Sequence, residues 1–249
     1  MLGLSCADAA VDVTTPPPFV GRGIERGVVS IRCKTAVENI SRFTRGSVLD
    51  VAALGGMRDI VLTAAHGLPE TRDAVRYGCR VLGAGGRAYR IREVWRGSRR
   101  DSDTSSDWAV LLVDSRLRGV VGRLAPGRVA DDRWRQLEAV RAPVRLVLRE
   151  AEAEAGECRL RPTAEPYDDA ATDLVLYTCP GNPDRSRAPG LSGSPIVAGV
   201  EGRALVVGIH LGWGFQFFED GRLHAVSLGR PIDTDVAAAI AAAAMAARH

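Results

Sequence analysis

From Val28 onward the chain alternates short apolar runs with polar, glycine-containing breaks. Val28-Val29-Ser30-Ile31, Gly46-Ser47-Val48-Leu49, Asp59-Ile60-Val61-Leu62-Thr63, Cys79-Arg80-Val81-Leu82, Tyr89-Arg90-Ile91 and Trp108-Ala109-Val110-Leu111-Leu112-Val113 form a first series. The pattern then changes: Pro126-Gly127 marks a turn, and the mixed charges from Asp131 to Ala139 predict a short helix. A second series follows, with Val144-Arg145-Leu146-Val147-Leu148, Cys158-Arg159-Leu160, Leu174-Val175-Leu176-Tyr177, Pro195-Ile196-Val197, Ala204-Leu205-Val206-Val207-Gly208-Ile209 and Arg222-Leu223-His224-Ala225-Val226. Short strands rich in branched residues, broken by turn signals every ten or so positions, predict an all-β barrel or sandwich. Asp233 and Thr234 are both good helix N-caps, and the Ala-rich run behind them predicts a C-terminal helix.

These signals divide the chain into a leader (1–27), an N-terminal β half (28–118), a connection (119–142) and a C-terminal β half ending in the helix (143–249). Two β halves of similar length suit a duplicated barrel. Pro16-Pro17-Pro18 excludes a helix or a central strand from the leader. Ala7-Asp8-Ala9 resembles a small-residue cleavage site, but no basic segment precedes it. The leader therefore reads either as the tail of a signal peptide or as a disordered extension.

With 249 residues the chain can bury a substantial core, and 46% hydrophobic with 25% charged residues is ordinary for a globular protein. The net charge of +3 is spread along the chain rather than gathered in a basic run, so no nucleic-acid footprint is expected. No apolar stretch is long enough to cross a membrane. Lys34 is the only lysine among many arginines and alanines, a pattern of GC-rich coding and so of a bacterial source.

No Cys-x-x-Cys pair occurs, and neither a metal nor an organic cofactor is expected. With Cys6 set aside, four cysteines remain, two in each half. Pairing Cys33 with Cys79 and Cys158 with Cys179 is the simplest of three connectivities and would suit an oxidising compartment. Four buried free thiols are the alternative.

Three segments carry candidate chemistry. Thr63-Ala64-Ala65-His66-Gly67 ends an apolar strand in small residues and a histidine. Ser106-Asp107-Trp108-Ala109-Val110 sets an aspartate at the mouth of an apolar strand; Asp101 and Asp103 compete but do not directly precede it. Gly190-Leu191-Ser192-Gly193-Ser194-Pro195 holds a serine in a glycine-rich turn before a strand. A serine hydroxyl becomes a nucleophile when a base takes its proton, and histidine suits that task near neutrality. A carboxylate fixes the imidazole tautomer and stabilises the imidazolium. Glycines beside the serine let backbone N–H groups face the developing oxyanion.

In this order the three segments resemble the chymotrypsin-like serine peptidases, over roughly residues 28–245. The resemblance implies two packed six-stranded antiparallel β-barrels with a C-terminal helix, and endopeptidase activity through an acyl-enzyme. His66 would be the general base, Asp107 its orienting carboxylate and Ser192 the nucleophile, with the N–H groups of Gly190 and Ser192 as the oxyanion hole. Val207-Gly208-Ile209-His210-Leu211-Gly212 is similar to the strand that lines the specificity pocket and pairs with substrate backbone. Ser186, Arg187, His210, Leu211 and Gly212 would then touch substrate. The partner implied is a polypeptide substrate, the protein a monomer, and its location secreted or periplasmic.

Departures from the family pattern narrow the expectation. Leu191 stands where animal enzymes carry an aspartate that pairs with a freed N-terminus, and no Ile-Val-Gly-Gly activation sequence occurs. Gly67 stands where a disulfide cysteine usually follows the histidine. Gly-Ile-His with Gly-x-Ser-Gly-Ser-Pro resembles the bacterial branch that includes glutamyl endopeptidases, in which the matching histidine helps bind an acidic side chain. The threonine that accompanies it there is Arg187 here. Ser186 in place of an acidic residue argues against a preference for Arg or Lys, although Asp184 lies near. Trp213 and Phe215 read as packing residues near the pocket, and His224 and His249 have no role. A second function class is a catalytically impaired peptide-binding protein on the same fold. An α/β-hydrolase is excluded by the order of the three residues and by the missing final glycine of its nucleophile elbow.

Overall fold

The computed structural model describes residues 24–34, 41–51, 56–97, 104–120, 122–128, 134, 137, 142–148, 157–161, 175–179, 190–200, 203–217 and 221–248. The expected leader up to residue 23, Asp101, Asp103, Asp184, Ser186 and Arg187 lie outside them. Of the helix expected from 131 to 139, only Trp134 and Leu137 are described, and both are helical and buried.

The first half forms β1 (Val28–Lys34), β2 (Ser41–Leu49), β3 (Ile60–Thr63), helix α1 (Arg72–Gly78), β4 (Cys79–Leu82), β5 (Ala88–Arg96) and β6 (Ala109–Val113). The six strands close into an antiparallel barrel in the order β1-β2-β3-β6-β5-β4. The second half forms β7 (Ala125–Pro126), β8 (Pro143–Leu146), β9 (Glu157–Arg161), β10 (Val175–Thr178), β11 (Pro195–Val200), β12 (Arg203–Phe217), β13 (Leu223–Pro231) and helix α2 (Thr234–Ala246). Strands β11-β8-β9-β10-β13-β12 form a second antiparallel ring of six, closed by the pairing of β11 with β12. The short β7 adds in parallel to the outside of β12.

The burial of β3 and β6 explains why their sequences do not alternate. Every residue of both strands is buried. Val61 and Leu111 point into the first barrel beside Ile31, Val48 and Val81. Ile60, Leu62, Val110 and Leu112 face the other way, against Val206, Ile209 and Ile232 of the second half and against α2. A strand buried on both faces reads as a near-continuous apolar run, broken here only at Thr63, whose hydroxyl is satisfied by Arg45 O. Helix α2, although it follows the second barrel in sequence, packs on β3, β5 and β6 of the first. Its start is set by Asp233, whose carboxylate caps Val236 N at 3.0 Å and pairs with the buried Arg230.

Several elements differ from the sequence reading: β2, β5 and β13 run longer than expected, and β7 forms at Ala125–Pro126, where only a turn was expected. The one-turn-plus helix α1, capped by Thr71 Oγ1 on Ala74 N at 3.1 Å, was not expected. Strand β12 runs to Phe217 instead of ending at Ile209, because a register shift between His210 and Gly212 lets the hairpin with β13 continue past the glycine. Cys33 is bonded to Cys79 across β1 and β4, and Cys158 to Cys179 beside β9 and β10. Both pairs lie within one half, consistent with an oxidising compartment. Among the described residues no helix is long and apolar enough to cross a membrane.

One buried ion pair ties the start of the connection between the halves to the first barrel. Asp59, buried at the entry to β3, accepts from Leu117 N at 2.7 Å, Arg123 Nη2 at 2.7 Å and Arg123 Nε at 3.1 Å. Asp59→Ala leaves the guanidinium and the amide without that acceptor. Removing one member of a buried pair costs about 3–5 kcal/mol, and Arg123 is 25% exposed, so the lower end is expected. Urea unfolding of the variant measures it; a loss below about 1 kcal/mol, the net worth of one ordinary hydrogen bond, would show the pair to be incidental.

Candidate active site

The three candidate segments come from different elements and meet on the seam between the barrels. His66 sits in the turn after β3, and Asp107 follows a 3-10 turn, Thr104–Ser106, just before β6. Because β3 and β6 are paired neighbours, with Thr63 opposite Ala109, their ends bring the two side chains together. Asp107 Oδ2 lies 2.7 Å from His66 Nδ1, and Asp107 Oδ1 accepts from His66 N at 2.8 Å. One carboxylate thus holds both the ring and the backbone of the same histidine. Facing an ionised carboxylate, Nδ1 carries the proton, so the neutral ring keeps Nε2 as its acceptor. The imidazole is 39% exposed and the carboxylate 17%, so the free edge of the ring faces outward while its anchor is covered.

Burial by itself pushes the Asp107 carboxyl upward. The hydrogen bond and charge of His66, together with the backbone amides of His66 and Ala65, outweigh it and hold the group below the usual 3.8.

Ser192 lies in the turn that enters β11. The turn is closed by Ser194 N donating to Leu191 O at 2.9 Å. Gly190 has φ 83° and Gly193 φ 86°, backbone that other residues rarely adopt. At Gly193 a Cβ would stand 2.1 Å from Arg45 O, so only glycine lets the turn lie against β2. The turn is seated there by Ser192 O, which accepts from Arg45 N at 2.8 Å and from Thr44 Oγ1 at 2.6 Å. Among the described residues, the N–H groups of Gly190 and Ser192 have no acceptor. They are the two donors expected of an oxyanion hole. Leu191 is buried in the core of the second barrel beside Tyr177 and Ile196, so apolar packing anchors the turn where an ion pair was expected to be missing.

The Ser192 hydroxyl donates to Leu211 O at 3.0 Å, and among the described residues it makes no hydrogen bond to His66. Strand β12 therefore flanks the serine directly: Gly193 N donates to His210 O at 2.7 Å and His210 N to Ser194 O at 2.8 Å. His210 is buried, and its Nδ1 lies 2.6 Å from the hydroxyl of Tyr177. Burial drives that hydroxyl far above the ordinary tyrosine value, against a hydrogen bond with Ser227 that lowers it. Tyr177 thus stays a neutral O–H. Beyond the bulge, Trp213 and Phe215 meet edge to face at 5.5 Å but are 46% and 48% exposed, so they are surface residues rather than the packing residues expected. His224 on β13 is half-buried.

The sequence reading missed Thr44, Arg45 and Tyr177. Tyr177 lies inside a strand-like run and Thr44 just ahead of one, neither with a motif of its own, and only pairing brings them to His210 and to the serine. Among the described residues no group of His, Cys, Asp and Glu side chains could hold a metal.

Two six-stranded antiparallel barrels with a C-terminal helix, and these residues on the seam, define the chymotrypsin-like fold. In structure the chain is similar to a scabies mite inactivated protease paralogue, with a TM-score of 0.58 and 13% identity over 90% of this chain and 97% of that one. At that identity the likeness speaks for the fold. No protein-family model and no curated protein matches the chain in sequence.

The lowered Asp107 carboxyl has a consequence for stability. A group whose folded value lies below its unfolded value of 3.8 adds stability that is complete above that pH and is lost as pH falls through the folded value. The stability gap between wild type and Asp107→Asn should hold steady from pH 7 to 5 and shrink on going down to about pH 3. Urea titrations at the two ends test this; an unchanged gap at the acid end would mean that the Asp107–His66 pairing contributes nothing.

Proposed function

We propose that this protein is a serine endopeptidase that hydrolyses peptide bonds through an acyl-enzyme, with His66, Asp107 and Ser192 as its triad. The observation that carries this reading is the double hold of Asp107 on His66, which orients the ring and leaves Nε2 as its acceptor; Ser192, in its glycine turn, would be the group it serves. A substrate carbonyl would lie against Ser192 with its oxygen towards the N–H groups of Gly190 and Ser192. The hydroxyl leaves Leu211 O and turns to His66 Nε2, which takes its proton as Oγ bonds to the carbonyl carbon. The tetrahedral oxyanion is held by the two N–H groups. Its collapse breaks the C–N bond, and His66 returns the proton to the departing amine. Water then repeats the sequence and releases the acid. The chain acts as a monomer on polypeptides, secreted or periplasmic, as its two disulfides favour.

In its finer form the reading assigns the glutamyl-type branch. His210 would present Nε2–H to an acidic side chain, with Nδ1 turned to Tyr177; Ser186, Arg187, Leu211 and Gly212 complete the substrate contacts. A second reading, a peptide-binding protein without turnover, is favoured by the hydrogen bond that turns Ser192 Oγ to Leu211 rather than to His66.

A fluorophosphonate decides between the two. It should modify wild type at Ser192, leave Ser192→Ala untouched, and react about 10⁴-fold more slowly with Asp107→Asn, where the wrong imidazole tautomer is imposed. A folded wild-type protein that stays unmodified would favour the binding reading. For specificity, a peptide library should show cuts enriched after Asp and Glu, and Tyr177→Phe should weaken that enrichment by raising KM. Cut sites with no acidic preference would dismiss the glutamyl-type assignment.

A further inference from the structure

Thr44 makes contacts that the triad does not explain. It lies in β2, fully buried, and its hydroxyl donates to the carbonyl of Ser192 at 2.6 Å, beside the Arg45 N–H at 2.8 Å. The same side chain fills the space next to His66. A Cβ on Gly67 would stand 2.6 Å from Thr44 Cβ and 2.7 Å from Thr44 Oγ1. One residue of the first barrel therefore touches the neighbour of the candidate base with its carbon atoms and the candidate nucleophile with its hydroxyl.

The surroundings make this a tie rather than a chance contact. Thr63 Oγ1 donates to Arg45 O at 2.5 Å, which fixes the peptide on which Gly193 lies. Neither disulfide reaches the His66 turn, since Cys33 and Cys79 bond to each other across β1 and β4. Gly67 stands at the position where a cysteine usually follows this histidine. A carbonyl that accepts two donors has its peptide plane fixed, and with it the backbone from which the Ser192 Cα–Cβ bond projects.

We propose that Thr44 is a positioning residue for the nucleophile, a non-covalent clasp between the His66 turn and the Ser192 turn. The proposal rests on the protease reading above. Thr44→Val keeps the shape against Gly67 and removes only the hydroxyl. The Ser192 carbonyl keeps its bond from Arg45 but can rotate, and a nucleophile misplaced by a fraction of an ångström to 1 Å loses rate rather than binding.

The experiment compares wild type, Thr44→Val, Thr44→Ser and Gly67→Ala, each shown to be folded by near-UV circular dichroism. It reads fluorophosphonate reaction at Ser192, kcat and KM on a cleaved peptide, and hydrogen exchange of the Arg45 and Gly193 amides. The expected results are a fall of about tenfold to a hundredfold in reaction rate and kcat for Thr44→Val with KM nearly unchanged, and faster exchange at Arg45. Thr44→Ser should recover most of the rate. Gly67→Ala should lose rate as Thr44→Val does, because its methyl group displaces the threonine. Wild-type rates and exchange in Thr44→Val would overturn the proposal, and so would a loss in Thr44→Ser as deep as in Thr44→Val, which would make Thr44 a packing residue only. If wild type itself does not react while Thr44→Val exchanges faster at Arg45, the clasp stands and the protease reading falls.

Discussion

The site exists because the outer faces of β3 and β6 are buried against the second barrel and α2. Ile60, Leu62, Val110 and Leu112 share one apolar cluster with Val206, Ile209, Ile232, Val236 and Ile240. Each such side chain contributes about 1.5–3 kcal/mol when fully buried. A single hydrogen bond across the seam contributes about 1 kcal/mol net. Apolar burial therefore holds the halves together, and hydrogen bonds decide how they are aligned. Helix α2 strengthens this arrangement by returning from the second half of the chain to cover the first barrel.

Alignment on the seam is set by a few backbone groups. The Ser192 carbonyl meets Arg45 N, the Gly193 amide meets His210 O, and His210 N meets Ser194 O. The serine turn is thus gripped from both sides, by β2 of the first barrel and by β12 of the second. This close fit requires glycine at 193, where any side chain would collide with the Arg45 carbonyl. Among the described residues the amides of Gly190 and Ser192 stay unpaired in the process, as the proposed stabilisation of a developing negative charge requires.

Two polar pairs, one partly exposed and one buried, belong to the site, and their environments act in opposite directions. Asp107 is kept ionised because His66 and two amides serve the charged form. Tyr177 is kept neutral because its burial offers the phenolate too little in return. One pair presents an orienting negative charge and the other a neutral hydroxyl that fixes a histidine. Both hold an imidazole by its Nδ1, and the carboxylate also settles that this nitrogen of His66 carries the proton.

Much of the molecule was legible in the sequence because it depends on local chemistry. Runs of branched residues between turn signals marked nearly every strand, and Asp233 marked the start of α2. The order of His66, Asp107 and Ser192 in their settings of small residues, apolar strand and glycine turn pointed to one fold. The cysteines in each half pointed to their pairing. What pattern could not show were relations across strands: that β12 passes Gly212 through a register shift, that Trp213 and Phe215 end on the surface, and that Tyr177 reaches His210. Thr44 is the clearest case. In sequence it is one threonine just ahead of a strand-like run; its role depends on Gly67 and Ser192, which approach it only when both barrels have closed. Side-chain type and spacing are written along the chain, but the distances that make a site arise from burial and strand register, which only the tertiary structure decides.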